Sequence, residues 1–292
     1  MKAASNHSLG ITKWVWAITL HLLLVAAVFP VSGQIVTLSD QNSTVTLDLS
    51  PSAGNGGGMT GWRMGGVNTL AQEWFWYRIG TNGPEQAINS IGGLTFTQPD
   101  ARTLYATYFN GQYGVTINYL LTGSPLGHDR SDISESILIT NATASPLAFH
   151  FFEYANQDLG SPSGDTVQLG KNLRGLFNEA DQSKSFGFAV TETLVTPGAN
   201  RGEAGLYNST LAKLSDGNTD DLNNNVGPLT GDATWAFQWD LTIPATNSVG
   251  ISKEKYVVVP WPEPSAISLL SLGSVGFVLR KRLPLQAASL SC

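Results

Sequence analysis

Apolar and polar residues alternate with period two along much of the chain. In Ile133-Ser134-Glu135-Ser136-Ile137-Leu138-Ile139-Thr140, the residues Ile133, Ile137 and Ile139 fall on one face together with Glu135. Asn141 to Pro146 are turn-forming residues, and Leu147-Ala148-Phe149-His150-Phe151-Phe152-Glu153-Tyr154 resumes the pattern. This pair of runs predicts an antiparallel hairpin. Further strands are expected at Val45–Leu49, Glu73–Ile79, Leu104–Phe109, Tyr113–Leu121, Ser185–Thr193, Thr234–Ile243 and Lys255–Val259, with Gly, Pro, Asn and Asp between them. Helical signals are confined to Pro84–Ile91 and Ser209–Leu214. Many strands, few helices and no βαβ rhythm predict an all-β fold, a single large antiparallel β-sandwich over residues 34–258.

The two ends read as addresses. Lys2 and Lys13 precede an apolar stretch, Trp14 to Phe29, which Pro30 closes, and Val31-Ser32-Gly33 supplies small residues for cleavage. Those sixteen residues would span about 24 Å as a helix, short of a hydrocarbon core of about 30 Å. Residues 1–33 are therefore expected to be a signal peptide rather than a retained anchor. At the other end Pro262-Glu263-Pro264 holds the chain extended, Ala266 to Leu279 is apolar, and Arg280-Lys281-Arg282 follows at once.

That three-part tail, within residues 259–292, resembles the PEP-CTERM sorting signal of Gram-negative bacteria. The resemblance implies export, transient anchoring in the inner membrane and processing by an exosortase, in bacteria that make an extracellular polysaccharide matrix. The sorting motif it carries over is Pro262, Glu263, Pro264, Arg280, Lys281 and Arg282. Leu283 to Cys292 depart from it, since such proteins usually stop soon after the basic cluster. A plain C-terminal membrane anchor is the competing reading of the same residues.

Composition narrows the classes. Of 292 residues 42% are hydrophobic and 13% charged, which is ample for a core and unlike a disordered chain. The single cysteine, Cys292, excludes an intramolecular disulfide framework and cysteine-based zinc sites. Without Lys2, Lys13, Arg280, Lys281 and Arg282, 11 basic residues face 22 acidic ones, so the body carries a net charge of −11. Such a surface argues against nucleic acid and favours neutral glycans, or acidic ones bridged by calcium.

Candidate chemistry is thin. There is no G-x-S-x-G, H-E-x-x-H, P-loop or dinucleotide fingerprint. His128 lies in a polar loop, and His150 alternates with aromatics in a predicted strand, which suits a solvent-facing or hydrogen-bonded histidine. Glu73, Glu135 and Glu153 lie in strands, and Glu135 and Glu153 would face one another across the predicted hairpin. A polysaccharide hydrolase needs such a carboxyl pair; a wet sheet face explains it equally well. Trp74 and Trp76 project to one side of Glu73-Trp74-Phe75-Trp76-Tyr77-Arg78, either as a platform for sugar rings or as core. Asp216, Asn218 and Asp220 have the one-three-five spacing of a calcium loop, but Asp221 and Gly227 break the pattern at its sixth and twelfth positions. The acidic loop from Asn156 to Asp165 has the same ambiguity between a cation site and a solvated turn. Thr234–Ile243 resembles, locally, the closing strand of β-sandwich modules in carbohydrate-active proteins. These readings point to an exported, non-catalytic structural or exopolysaccharide-associated protein of the envelope or matrix. A carbohydrate-binding module and a polysaccharide-active enzyme are the competing classes.

Overall fold

The computed structural model describes residues 34–51, 57–161 and 163–260. The expected signal peptide, the apolar tail and the sorting motif lie outside the described residues. Within them no helix is long and apolar enough to cross a membrane. In chain order the strands are β1 (Ile35–Asp40), β2 (Ser43–Asp48), β3 (Gly58–Met64), β4 (Val67–Asn68), β5 (Gln72–Ile79), β6 (Gln86–Ala87), β7 (Thr95–Thr97), β8 (Thr103–Phe109) and β9 (Tyr113–Gly123). They continue with β10 (Arg130–Asn141), β11 (Leu147–Asn156), β12 (Asp165–Lys171), β13 (Phe177–Ser183), β14 (Ala189–Thr196), β15 (Arg201–Leu206), β16 (Leu229–Gly231), β17 (Ala233–Ile243) and β18 (Asn247–Val258). A five-residue helix, α1 (Ser209–Lys213), follows β15.

Two antiparallel sheets result, and the all-β sandwich expected from the alternation is what forms. The first sheet runs β1-β2-β3-β5-β11-β17-β15, with β4 on β3 and β6 on β5. The second runs β16-β12-β13-β14-β18-β10-β9-β8-β7. Paired residues share a face, so Glu73, Phe75 and Tyr77 look the same way as Phe149, Phe151 and Glu153. This is the side that meets the second sheet, because Glu73 and Glu153 bond to Lys253 on β18. Ring stacking of Phe75 on Phe151 and Tyr77 on Phe149, with centroids 5.4 and 5.7 Å apart, fills the layer between the sheets.

The predicted hairpin does not form. Strand β10 lies between β9 and β18, while β11 lies between β5 and β17 in the other sheet. The link Asn141–Pro146 is a crossing between layers, held by Asn141 Nδ2, which donates to the carbonyls of Ser145, Ile243 and Pro244. Alternation specifies which face a residue takes but not which strand it pairs with. Strand β10 instead pairs over twelve residues with β18. Two local expectations shift as well. Ser185–Gly187 is a 3-10 turn, with Phe186 at φ 67°, and the strand begins at Ala189. Pro84–Ile91 holds only the 3-10 turn Ile88–Ile91, preceded by the β6 pairing.

Candidate functional site

The central strands of the first sheet carry a polar constellation on the side turned away from the second sheet. Register sets Arg78 of β5 beside His150 of β11, and His150 beside Asp240 of β17. Gln238 lies opposite Phe152 on one side and Arg201 of β15 on the other. Two covering segments complete it: Glu85 precedes β6, and Asp220 and Asp221 follow α1. His150 Nδ1 lies 2.6 Å from Asp240 Oδ1. Asp240 Oδ1 and Asp221 Oδ1 both accept from Gln238 Nε2 at 2.8 Å. Arg201 reaches Asp221 Oδ2 at 3.2 Å and Asp240 Oδ2 at 3.7 Å.

Arg78 is the buried support of this group. Its Nη1 donates to Glu85 Oε1 at 2.5 Å and to the Asp220 carbonyl at 2.7 Å, and its Nη2 donates to Asp221 Oδ1 at 2.8 Å. Burial alone would raise the Asp221 carboxyl, but hydrogen bonds from Arg78 and Gln238 and the charge of Arg201 hold it below the usual range. Burial prevails at Glu85, whose carboxyl is raised despite Arg78. A cavity of about 200 Å³ lies against Arg78, between Tyr77, Asn82, Pro84 and Tyr113. With Nδ1 turned to the Asp240 carboxylate, His150 is oriented so that Nε2 is the nitrogen left to exchange a proton. A carboxylate-oriented imidazole, a second ionised carboxylate and the partly exposed Arg201 guanidinium are groups that acid–base chemistry on a hydroxyl can use.

The sequence read His150 as a structural histidine and did not point to its partners. Asp240 is 90 residues away, and Arg78 closed a run read for its aromatics. The outward alternation of Asp240 in Thr234–Ile243 was the available signal.

The other candidates fall differently. Trp74 and Trp76 are 0% and 1% exposed, so the structure removes them as a platform for sugars. Both rings are packed: Trp76 meets Tyr154 edge-on with centroids 6.3 Å apart, and Trp74 Nε1 donates to Asn89 Oδ1 at 3.4 Å. In the suggested calcium loop Asp216 accepts from the Asn218 backbone and side-chain amides at 2.8 and 2.9 Å, a closed turn. Asp220 turns its carbonyl to Arg78 instead. His128 is exposed, and its carbonyl accepts from Asn42.

Glu73, Glu135 and Glu153 do meet, but from both sheets and inside the sandwich rather than across a hairpin. Their ligand oxygens lie within 4.8 Å of one another, the spacing of a metal centre. Two ammonium groups occupy that place. Lys253 Nζ contacts Glu73 and Glu153 at 2.7 Å and also Glu135. Lys255 Nζ contacts Glu73 at 2.5 Å, Glu153 at 2.8 Å, and Glu135 and Glu192 at 3.3 Å. Glu192 Oε2 also accepts from Trp235 Nε1. Four carboxyls around two ammoniums balance only if two carboxyls hold protons. Burial and neighbouring carboxylates push Glu135 up to about 7 and Glu192 up to about 8. Burial also opposes ionisation of Glu73, yet the two lysines hold it well below the usual range. This centre organises the core and is closed to substrate.

The fold recurs in solved structures. A bacterial glucoamylase complexed with acarbose matches with a TM-score of 0.52 at 9% identity, over 86% of this chain and 37% of the glucoamylase. A proposed aldose 1-epimerase of Escherichia coli K12 matches with a TM-score of 0.51 at 13% identity, over 79% of this chain and all of the other. No protein-family model and no curated protein matches. At these identities the likeness is one of fold. It nevertheless corrects the expectation of a non-catalytic structural protein, because this sandwich is a framework shared with carbohydrate-processing enzymes. The absence of nucleophile and metalloprotease motifs does not decide the matter, because acid–base groups can be brought together from separate strands.

Proposed function

We propose that the chain is a carbohydrate-active enzyme that moves protons on a neutral aldose at the His150–Asp240 site. The observation that carries this reading is the 2.6 Å contact between His150 and Asp240 on an accessible sheet face, with Asp221 and Arg201 beside it. Its fold likeness to a proposed aldose 1-epimerase supports the choice of substrate class. In the proposed reaction one group removes the proton of the anomeric hydroxyl while another protonates the ring oxygen. The bond from the anomeric carbon to the ring oxygen then breaks, a carbonyl forms, and rotation and reclosure give the other anomer. Asp221, held ionised, suits the base, and His150, when it carries a proton on Nε2 while Nδ1 stays on Asp240, suits the acid that protonates the ring oxygen. Arg201 offsets negative charge as it develops. The acidic body favours neutral sugars over anionic ones.

Export with removal of the PEP-CTERM-like tail is proposed alongside, on the tail's three-part sequence alone. It would place the site outside the inner membrane, with an exosortase-type enzyme as processing partner.

Polarimetry of freshly dissolved α-glucose and α-galactose tests the activity. The chain should speed equilibration above the buffer rate. His150→Ala should lower the enzymatic rate by about 10²–10⁴-fold, the usual share of a general acid or base. Equilibration no faster than buffer across a panel of neutral aldoses overturns the reading.

A further inference from the structure

The loop from Asn156 to Asp165, ambiguous in sequence between a cation site and a turn, ends in a cluster of buried polar side chains contributed by the loop, β12 and β13. Gln182 of β13 organises it. Its Nε2 donates to the Gln157 carbonyl at 2.7 Å and also to Asp165 Oδ2. Gln157, Asp165 and Gln182 are each no more than 1% exposed. Yet Gln157 Oε1 and Nε2, Asp165 Oδ1 and Gln182 Oε1 have no hydrogen-bond partner. Buried polar groups left bare are costly, so the cluster calls for a partner.

The chemistry of the orphaned atoms selects the occupant. Three of the four are acceptor oxygens, and one water has only two hydrogens to give. A cation takes six to eight oxygens at once. Charge points the same way. Asp165 and Asp158 each feel the repulsion of Asp232, and among the described residues Lys184 is the cation acting on both. Lys184 Nζ is itself held by the Ser161 carbonyl and hydroxyl at 2.7 and 2.5 Å. We propose that Gln157, Asp165 and Gln182 bind a calcium ion that ties the Asn156–Asp165 loop to the second sheet. Amide and carboxylate oxygens in an irregular loop suit calcium, whereas magnesium demands a stricter octahedron.

Calorimetric titration of the full chain with calcium chloride, with melting curves in calcium and in EDTA, tests this. Calcium at ten times its dissociation constant should raise the melting temperature by about 3–6 °C. Asp165→Asn should abolish the response. Gln157→Leu should weaken it while the melt in EDTA stays near wild type, which keeps the test decisive if Asp165→Asn does not fold. Asp216→Asn, in the exposed turn, should respond as the wild type does. No binding heat and no shift at millimolar calcium, as for side chains that meet only water, overturns the proposal. So does a response that survives in Gln157→Leu undiminished or disappears in Asp216→Asn.

Discussion

Raising the pH from 5 to 9 is expected to destabilise this protein through two protons held in its core. In an unfolded chain Glu135 and Glu192 would titrate near 4.5, whereas in the folded core they titrate near 7 and 8. Between those limits the folded state binds more protons than the unfolded one, so stability falls as pH rises. The contribution is complete below pH 4.5 and is lost by the time pH passes 8. Every tenfold gain in proton affinity on folding is worth about 1.4 kcal/mol. The two groups together therefore threaten several kcal/mol, against a typical total stability of about 5–15 kcal/mol. The depressed carboxyl of Glu73 does not offset this, since its stabilisation is already complete above its unfolded value. Lys253 and Lys255 are raised above 10.5, so their share is lost only at higher pH.

Denaturant unfolding at pH 5, 6, 7, 8 and 9, followed by tryptophan fluorescence, measures the effect as a falling midpoint. Asp132 and Asp165 are also raised, to about 7 and about 6, and add to the slope. The double variant Glu135→Gln, Glu192→Gln isolates the contribution of the core, because glutamine mimics the protonated carboxyl without titrating. It should flatten most of the decline and stand above wild type at pH 9. A wild-type midpoint that stays level or rises from pH 5 to 8, or a double variant with the wild-type slope, would refute the reasoning.

Two further outcomes are expected. Trp74→Ala and Trp76→Ala should each cost about 3–5 kcal/mol in chemical denaturation, as truncations of fully buried tryptophans; a loss under about 1 kcal/mol would show that the strand is not packed on both sides. Intact-mass measurement on protein from the native envelope should find a chain lacking the segment from Pro262 to Arg282, and a mature chain ending at Cys292 would leave a plain anchor in its place.

The sandwich was legible because period-two alternation survives wherever one face of a strand is buried and the other is wet. Tyr113–Gly123 and Asn247–Val258 keep that contrast almost throughout. Other strands escaped the sequence. Phe177–Ser183 and Arg201–Leu206 are polar or glycine-rich, and their extended form comes from pairing with β12 and β14, and with β17. Gly202 shows why such a segment is unreadable in isolation. A Cβ there would lie 2.7 Å from the Phe177 ring, so the glycine answers to a residue 25 positions away.

Charge in the core was the harder thing to see, for a physical reason. Glu73, Glu135, Glu153, Lys253 and Lys255 each occupy a position that alternation marks as inward, the same signal that marks an isoleucine. Taken singly, an inward glutamate contradicts the pattern, and the economical repair is to turn its strand face to water. Only the stacking of the β5–β11 pair on the β10–β18 pair brings the opposite charges together and removes the contradiction. The His150 site obeys the same logic on the other side of the sheet. Arg78, His150 and Asp240 are unremarkable outward residues until register sets them side by side across three strands. A site assembled across strands therefore has no motif to find. It runs perpendicular to the chain, along the hydrogen-bonding direction of the sheet, where sequence separation carries no information.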